Sequence, residues 1–157
     1  MSPAKPTTVL SMLRRSWLTI LMNSSRVASG ITLVADTGPA PLLVGFDSAR
    51  ILQVLTNLIS NALKFTPANG RIVVRLERVA TDALVTVEDS GTGIPAEHLE
   101  TIFTRFAQVK KNDPRGLGLG LFISKCIVQG HGGRIWAESE PGRGTTLRFT
   151  LPMQAAP

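Results

Sequence analysis

The segment between Asp47 and Pro67 sets the strongest limit on what this chain can fold into. Ile51, Leu52, Leu55, Leu58, Ile59, Ala62 and Leu63 recur there at the spacing of a helix face, until Pro67 ends the run. Asp47 suits the N-cap, because its carboxylate can accept from the free N–H groups of a first turn. A helix with so broad an apolar face needs a sheet or other helices to cover it. The residues immediately downstream supply a sheet: 71–77 and 84–89 are β-rich runs linked by a short polar connection at Thr81-Asp82. That pattern predicts an antiparallel hairpin packed under the helix.

The remaining elements extend the same plan. Val9, Leu13, Trp17, Ile20 and Leu21 predict an earlier amphipathic helix that ends before Gly30, and residues 31–35 alternate as a half-buried strand does. Residues 38–41, Gly-Pro-Ala-Pro, read as a loop. After Pro95 a short helical stretch runs to about Phe106, followed by a polar loop and an apolar helix over residues 118–129. Residues 134–138 and 145–151 alternate as strands around a Pro-Gly-Arg-Gly turn, and no internal repeat is found. The prediction is an α/β two-layer sandwich, a mixed β-sheet with helices packed on one face. At 157 residues this is one domain, spanning 9–152, with a flexible N-terminal lead at 1–8 and a C-terminal tail at 153–157.

Charge and composition narrow the function classes. The net charge of +6 comes from basic residues spread along the whole chain, there is no Tyr, and Phe and Trp are few. Nothing combines a basic stripe with stacking rings, so no nucleic-acid partner is expected. The longest apolar run, residues 17–22, is interrupted by Thr19 and falls far short of the roughly 20 residues of a membrane span. Direct membrane insertion is therefore not expected. Cys126 is the lone cysteine and no secretion signal is recognisable, so the expected location is cytoplasmic, whether or not a parent protein is membrane-anchored.

Four short segments carry chemistry. In the first, Asn57, Asn61 and Phe65 fall on one helix face with Lys64 one step round. An amide oxygen can ligate Mg²⁺ and an ammonium can meet phosphate, though the same residues also suit the polar face of any amphipathic helix. In the second, a strand delivers Asp89 into the tight turn Gly91-Thr92-Gly93. Asp89 could accept from an exocyclic amine while the bare glycines leave room for a ring; an ordinary Asx turn has the same residues. In the third, Gly116, Gly118 and Gly120 open an apolar helix, so free backbone N–H groups face one loop and can bind an anion. Helix packing is the other use for such glycines, at a cost in helix propensity. No Lys-Ser or Lys-Thr pair follows them, which weakens a Walker-type reading. The fourth, Gly142-Arg143-Gly144-Thr145, reads by itself only as a hairpin turn.

In this order the segments closely resemble the ATP-binding catalytic domain of sensor histidine kinases, within the gyrase, chaperone, histidine-kinase and mismatch-repair ATPase superfamily. The resemblance covers residues 9–152. Residues 53–66 look like the family's asparagine box, 89–93 like its first glycine box, 103–106 like its phenylalanine box, 116–120 like its second glycine box and 142–145 like its last. The run His131-Gly132-Gly133-Arg134-Ile135-Trp136-Ala137-Glu138-Ser139 is also typical of it. The resemblance implies a Bergerat-type ATP-binding fold with ATP and Mg²⁺ as cofactors. It implies that Asn61 binds the metal, that Asn57 and Lys64 contact the phosphates or the metal shell, and that Phe65 lies against adenine. Asp89 would read the adenine amine; Gly91, Gly93 and Ile94 would shape the base pocket; and Thr145 would support the base through a water. The backbone of Gly118, Leu119, Gly120 and Leu121 would hold phosphate, and residues 107–115 would form a mobile lid. The implied activity is that of a protein-histidine kinase in two-component signalling. It would supply the γ-phosphate to a histidine on a separate dimerisation domain, with a response regulator receiver domain downstream.

Two departures and one position refine that expectation. Leu117 stands where the family often has Thr or Ser, and the lid is a few residues short; Arg115 could add a phosphate contact, whereas Lys110 and Lys111 read as solvated charges. Asn57 occupies the place where the superfamily's water-activating ATPases and serine kinases carry Glu. An amide cannot take a proton at neutral pH, which turns the expectation from a stand-alone ATPase or serine kinase toward histidine phosphorylation. A degenerate nucleotide-sensing domain is the other alternative. Neither His98, expected as an exposed helix residue, nor His131, expected as a structural residue near a turn, has the context of a phosphoacceptor, so no catalytic residue is assigned. The chain is expected to bind nucleotide and to need a histidine from elsewhere.

Overall fold

The computed structural model describes residues 7–8, 30–38, 42–108 and 118–153. The helix expected from Val9 lies outside these residues, as do Lys110, Lys111, Arg115, Gly116 and Leu117. In chain order the elements are β1 (Thr7–Thr8), β2 (Thr32–Asp36), β3 (Leu43–Val44), α1 (Ser48–Phe65), β4 (Arg71–Val79), β5 (Asp82–Asp89), α2 (Gly120–Gly130), β6 (Ile135–Glu140) and β7 (Gly144–Pro152). Five strands build one sheet in the order β2-β4-β5-β7-β6, with β2 parallel to β4 and every other pairing antiparallel. The short β1 and β3 pair separately.

Period-two alternation sends Val74 of β4, Val85 and Val87 of β5, and Leu147 and Phe149 of β7 to one face of this sheet. There they are buried with Ile51, Leu55, Leu58 and Ile59 of α1 and Val128 of α2, which makes the expected helix-covered layer. Each such side chain contributes about 1.5–3 kcal/mol by leaving water, so this face is what joins α1 to the sheet. The opposite face is held differently. Thr86 is buried there because its cross-strand neighbours are Arg75 and Arg148, whose aliphatic stems flank it. Arg75 reaches Glu88 at 2.6 Å and Arg148 pairs with Glu138. These partly exposed pairs contribute at most about 1 kcal/mol each.

The ends of α1 are set by specific bonds. Asp47 Oδ1 accepts from Ala49 N at 3.1 Å and Arg50 N at 3.2 Å, the N-cap expected of it. At the far end Thr66 Oγ1 donates to Ala62 O at 2.7 Å, and Pro67 follows. The Asp47 backbone N–H also donates to His131 Nε2 at 3.1 Å, while His131 Nδ1 lies 2.7 Å from Ile127 O. Nε2 must therefore be the unprotonated nitrogen and Nδ1 the donor. His131 thus joins the start of α1 to the end of α2, a structural task. We expect Asp47→Ala to lower unfolding stability by about 1 kcal/mol in urea titrations, with the His131 bond kept because it uses the main chain. An unchanged midpoint would contradict the cap.

Several boundaries differ from expectation. The hairpin turns at Ala80-Thr81 and not at Thr81-Asp82, because Val79 pairs with Asp82 and Ala80 takes a positive φ of 54°. After Pro95 the chain forms two 3₁₀ turns, Ala96–His98 and Thr101–Phe103, in place of one helical stretch. Thr101 and Thr104 each donate their hydroxyl to a carbonyl three residues back, which competes with α-helical bonding. Expected as an exposed helix residue, His98 is half-buried on the first of these turns.

Candidate functional site

Three parts of the chain meet along α1: its own polar edge, the turn after β5 at its C-terminal end, and the start of α2 against Asn57. Asn57, Asn61, Lys64 and Phe65 lie along one edge of α1, and all four are half-buried. Lys64 Nζ sits 5.0 Å from the centre of the Phe65 ring. Asn57 Nδ2 donates to Gly120 O and to Ser124 Oγ, each at 3.2 Å, which ties this edge to the first turn of α2.

Asp89 ends β5 with 7% of its surface exposed. Its Oδ1 accepts from Gly91 N at 2.8 Å and from Thr145 N at 3.3 Å, so both protein bonds fall on one oxygen. Oδ2 is left for a ligand that donates. Neighbouring protein atoms already require both turn glycines. A Cβ on Gly91 would stand 2.7 Å from both Phe65 O and Asp89 Oδ1, and one on Gly93, where φ is +75°, would run into the backbone oxygen of Glu140. The two glycines therefore let the first glycine turn press against the end of α1 and the end of β6.

One residue that the sequence reading did not single out holds the rest of this end together. Ser139 Oγ accepts from Ile94 N at 2.7 Å, donates to Gly144 O at 2.8 Å and lies 2.9 Å from Thr145 Oγ1. With its only hydrogen given to Gly144, Ser139 must receive the hydrogen of Thr145. The Thr145 hydroxyl then offers only lone pairs to a ligand or a water. A polar residue in the alternation Ile135, Ala137, Ser139 on the core-facing side of β6 was the available signal.

The other end of the site is the start of α2. Leu119 precedes it without a side-chain cap, and no acidic residue lies in the first turn. The first N–H groups of α2 are thus open to an anion, with the positive end of the helix dipole behind them. Gly118, at φ +73°, brings this turn against Phe106 and Ala107, with no room for a Cβ; Phe106 itself has a φ of +56° and is 66% exposed. Gly120 differs: a Cβ there would meet only the Asn57 amide, at an ordinary 3.7 Å.

An open depression of about 330 Å³ at the Asp89 end is lined by Glu88, Glu138 and Glu140 together with Ser139, Arg143 and Thr145. Glu88 and Glu138 reach this depression from the opposite face of the sheet, where they pair with Arg75 and Arg148. Burial pushes the Asp89 carboxyl above the ordinary carboxylate range, and the N–H groups of Gly91 and Thr145 oppose that rise only in part. The folded state thus holds this proton more tightly than the unfolded chain does. Stability contributed at Asp89 should fall as pH rises from the usual Asp range through the raised value. Affinity for a donor that needs the carboxylate should rise over the same interval. Urea titrations and ligand titrations between about pH 4 and pH 7 check these opposite slopes, and parallel slopes would contradict them.

Residues 46–155 match the family described as histidine kinase-, DNA gyrase B-, and HSP90-like ATPase. Sensor histidine kinase WalK of Bacillus subtilis is 47% identical over 116 residues, which are 71% of this chain and 19% of WalK. Among solved structures, the nucleotide-free catalytic domain of histidine kinase ThkA superposes with a TM-score of 0.84 at 33% identity, covering 95% of each chain. ThkA in complex with the response regulator protein TrrA superposes at 0.80 with 31% identity, covering 96% of this chain and 42% of that one. The chain spans only 19% of the length of WalK, so these likenesses concern one domain of longer proteins. No helix among the described residues is long and apolar enough to cross a membrane.

Proposed function

Because the chain belongs to the histidine kinase-, DNA gyrase B-, and HSP90-like ATPase family, as a histidine-kinase catalytic domain, we propose that it binds Mg²⁺-ATP and presents the γ-phosphate to a histidine on a separate dimerisation domain. The observation that carries this reading is the opposed pair of half-sites. Asp89 leaves one carboxylate oxygen for a donor at one end, and the uncapped start of α2, tied to Asn57, offers donors at the other. An adenine amine needs an acceptor and a triphosphate needs donors, so a nucleotide fits this polarity in one direction only.

Within that reading Asn61 ligates Mg²⁺, Asn57 and Lys64 meet the phosphates or the metal's water shell, and Phe65 lies against the base. Gly91, Gly93 and Ile94 shape the base pocket, Thr145 supports the base through a water, and the backbone of Gly118, Leu119, Gly120 and Leu121 holds phosphate. The donor set suits Mg²⁺: it takes oxygen ligands and keeps waters and substrate phosphates in its shell, so one amide oxygen from the protein is enough. When bound, the metal would neutralise charge on the β- and γ-phosphates. The protein's own residues would orient the nucleotide, and Asn57, an amide whose Nδ2 donates to Gly120 O and Ser124 Oγ, would serve as no base. That disfavours a water-activating ATPase. ThkA's complex with TrrA supports a response regulator as the downstream partner. A cytoplasmic setting for the domain, whatever anchors a parent protein, belongs to the same proposal.

Isothermal titration with ATP, with Mg²⁺ and with EDTA, tests this function. We expect saturable binding that Mg²⁺ strengthens; no Mg²⁺-dependent binding would overturn the reading.

A further inference from the structure

Ser124 lies one turn into α2 and is completely buried, at 0% exposure, on a helix whose other buried side chains are Ile127 and Val128. Its hydroxyl donates to Gly120 O at 2.8 Å. Asn57 Nδ2 donates to the same carbonyl and to Ser124 Oγ, each at 3.2 Å. The direction of every proton in this triangle is fixed. A carbonyl oxygen can only accept, so the single Ser124 hydrogen goes to Gly120 and the edge of Asn57 that faces α2 must be its NH₂. Gly120 O and Ser124 Oγ, 2.8 Å apart, lie too close together for each to take a separate hydrogen of Nδ2, so they share one, and Oδ1 is left as an acceptor beside the first residue of α2.

We propose that Ser124 is a positioning residue for the metal-nucleotide site: it fixes the amide of Asn57 so that Oδ1 faces the Mg²⁺ shell. The proposal rests on the function proposed above and adds a residue that touches neither nucleotide nor metal. Without the hydroxyl, Asn57 keeps one partner, and its amide is free to swing about that single bond. The metal's water shell would then meet an acceptor that is only sometimes in place. A serine that merely satisfied its own hydroxyl against Gly120 O would have no such link to the metal.

The test compares Ser124→Ala, Ser124→Cys and Ser124→Thr by isothermal titration with ATP, in excess Mg²⁺ and in EDTA. Ala and Cys should each weaken Mg²⁺-ATP binding by about ten-fold, near the loss of one or two hydrogen bonds, while changing metal-free ATP binding by less than about two-fold. Thr, which keeps the hydroxyl, should restore Mg²⁺-ATP affinity to within about three-fold of the parent. Cys fills the volume of Ser with a weak hydrogen-bonding group, so it carries the test if the Ala variant does not fold. Equal losses with and without metal, no loss in either, or no recovery with Thr would overturn the positioning role while leaving the proposed function intact. An unmutated chain without Mg²⁺-dependent binding would overturn both.

Discussion

Asp89→Asn is expected to weaken ATP binding by about a hundred-fold while leaving the fold at least as stable as the parent at neutral pH. The size follows from which oxygen is already used. Oδ1 accepts from the backbone N–H groups of Gly91 and Thr145, so an Asn at this position keeps its carbonyl oxygen there, where two donors hold it. Its NH₂ then replaces Oδ2 and meets the adenine amine donor against donor. One charge-assisted bond, of about 1.5–3 kcal/mol, is lost and a buried clash takes its place. Guanine carries a carbonyl where adenine carries the amine, so the ratio of ATP to GTP affinity should fall further than ATP affinity alone implies. Stability should hold because the carboxylate is costly to bury, as its raised pKa records, and a neutral amide removes that cost. Nucleotide titration and thermal melting of the same variant separate the two effects. Unchanged ATP affinity would remove Asp89 from the base-reading role.

Gly144→Ala should be the most destabilising single substitution at the site, by about 4 kcal/mol, or a melting temperature lower by roughly 10 °C. Gly144 opens β7 at φ +106°, and a Cβ there would overlap the backbone oxygen of Asp89 and approach the Asp89 carbonyl carbon to 2.9 Å. Both atoms belong to paired main chain, which cannot swing aside as a flexible side chain would. Gly142, two residues earlier, is the informative comparison. It also has a positive φ, of +80°, but a Cβ there would meet nothing within 4 Å. Gly142→Ala should therefore cost only backbone strain, about 1 kcal/mol. Equal losses in the two variants, read by thermal melting, would show that close approach to Asp89 is not what requires Gly144.

The parts of this fold with a period are the parts that were legible in sequence. The repeat of Ile51, Leu55, Leu58 and Ala62 marked α1, and Asp47 and Pro67 marked its ends, because caps and proline act locally. Alternation marked β4, β5 and β7, but not where each one stops: β4 continues to Val79 because its partner starts at Asp82. The parallel pairing of β2 with β4 carries no local signature. Among site residues, the Gly-x-Gly turn was visible as a motif, yet its reason was not. The close approach of Phe65 and Glu140, which both glycines must admit, appears only once the folded neighbours are known. Ser139 and Ser124 were missed for a related reason. A single serine in an apolar strand or helix has meaning only once Ile94, Thr145, Asn57 and Gly120 are known to surround it. His131 was placed as a structural residue near a turn, and its bonds to Asp47 and Ile127 give it such a task.

On the function proposed above, this chain is the nucleotide-binding half of a phosphotransfer pair. Mixing it with γ-labelled ATP, Mg²⁺ and a separate histidine-bearing dimerisation domain tests that claim most directly. The expected result is acid-labile, base-stable label on the histidine of the added domain, none on His98 or His131, and little phosphate release by this chain alone. Sustained ATP hydrolysis without the added domain, or label that stays absent from its histidine while ATP is bound, would contradict it.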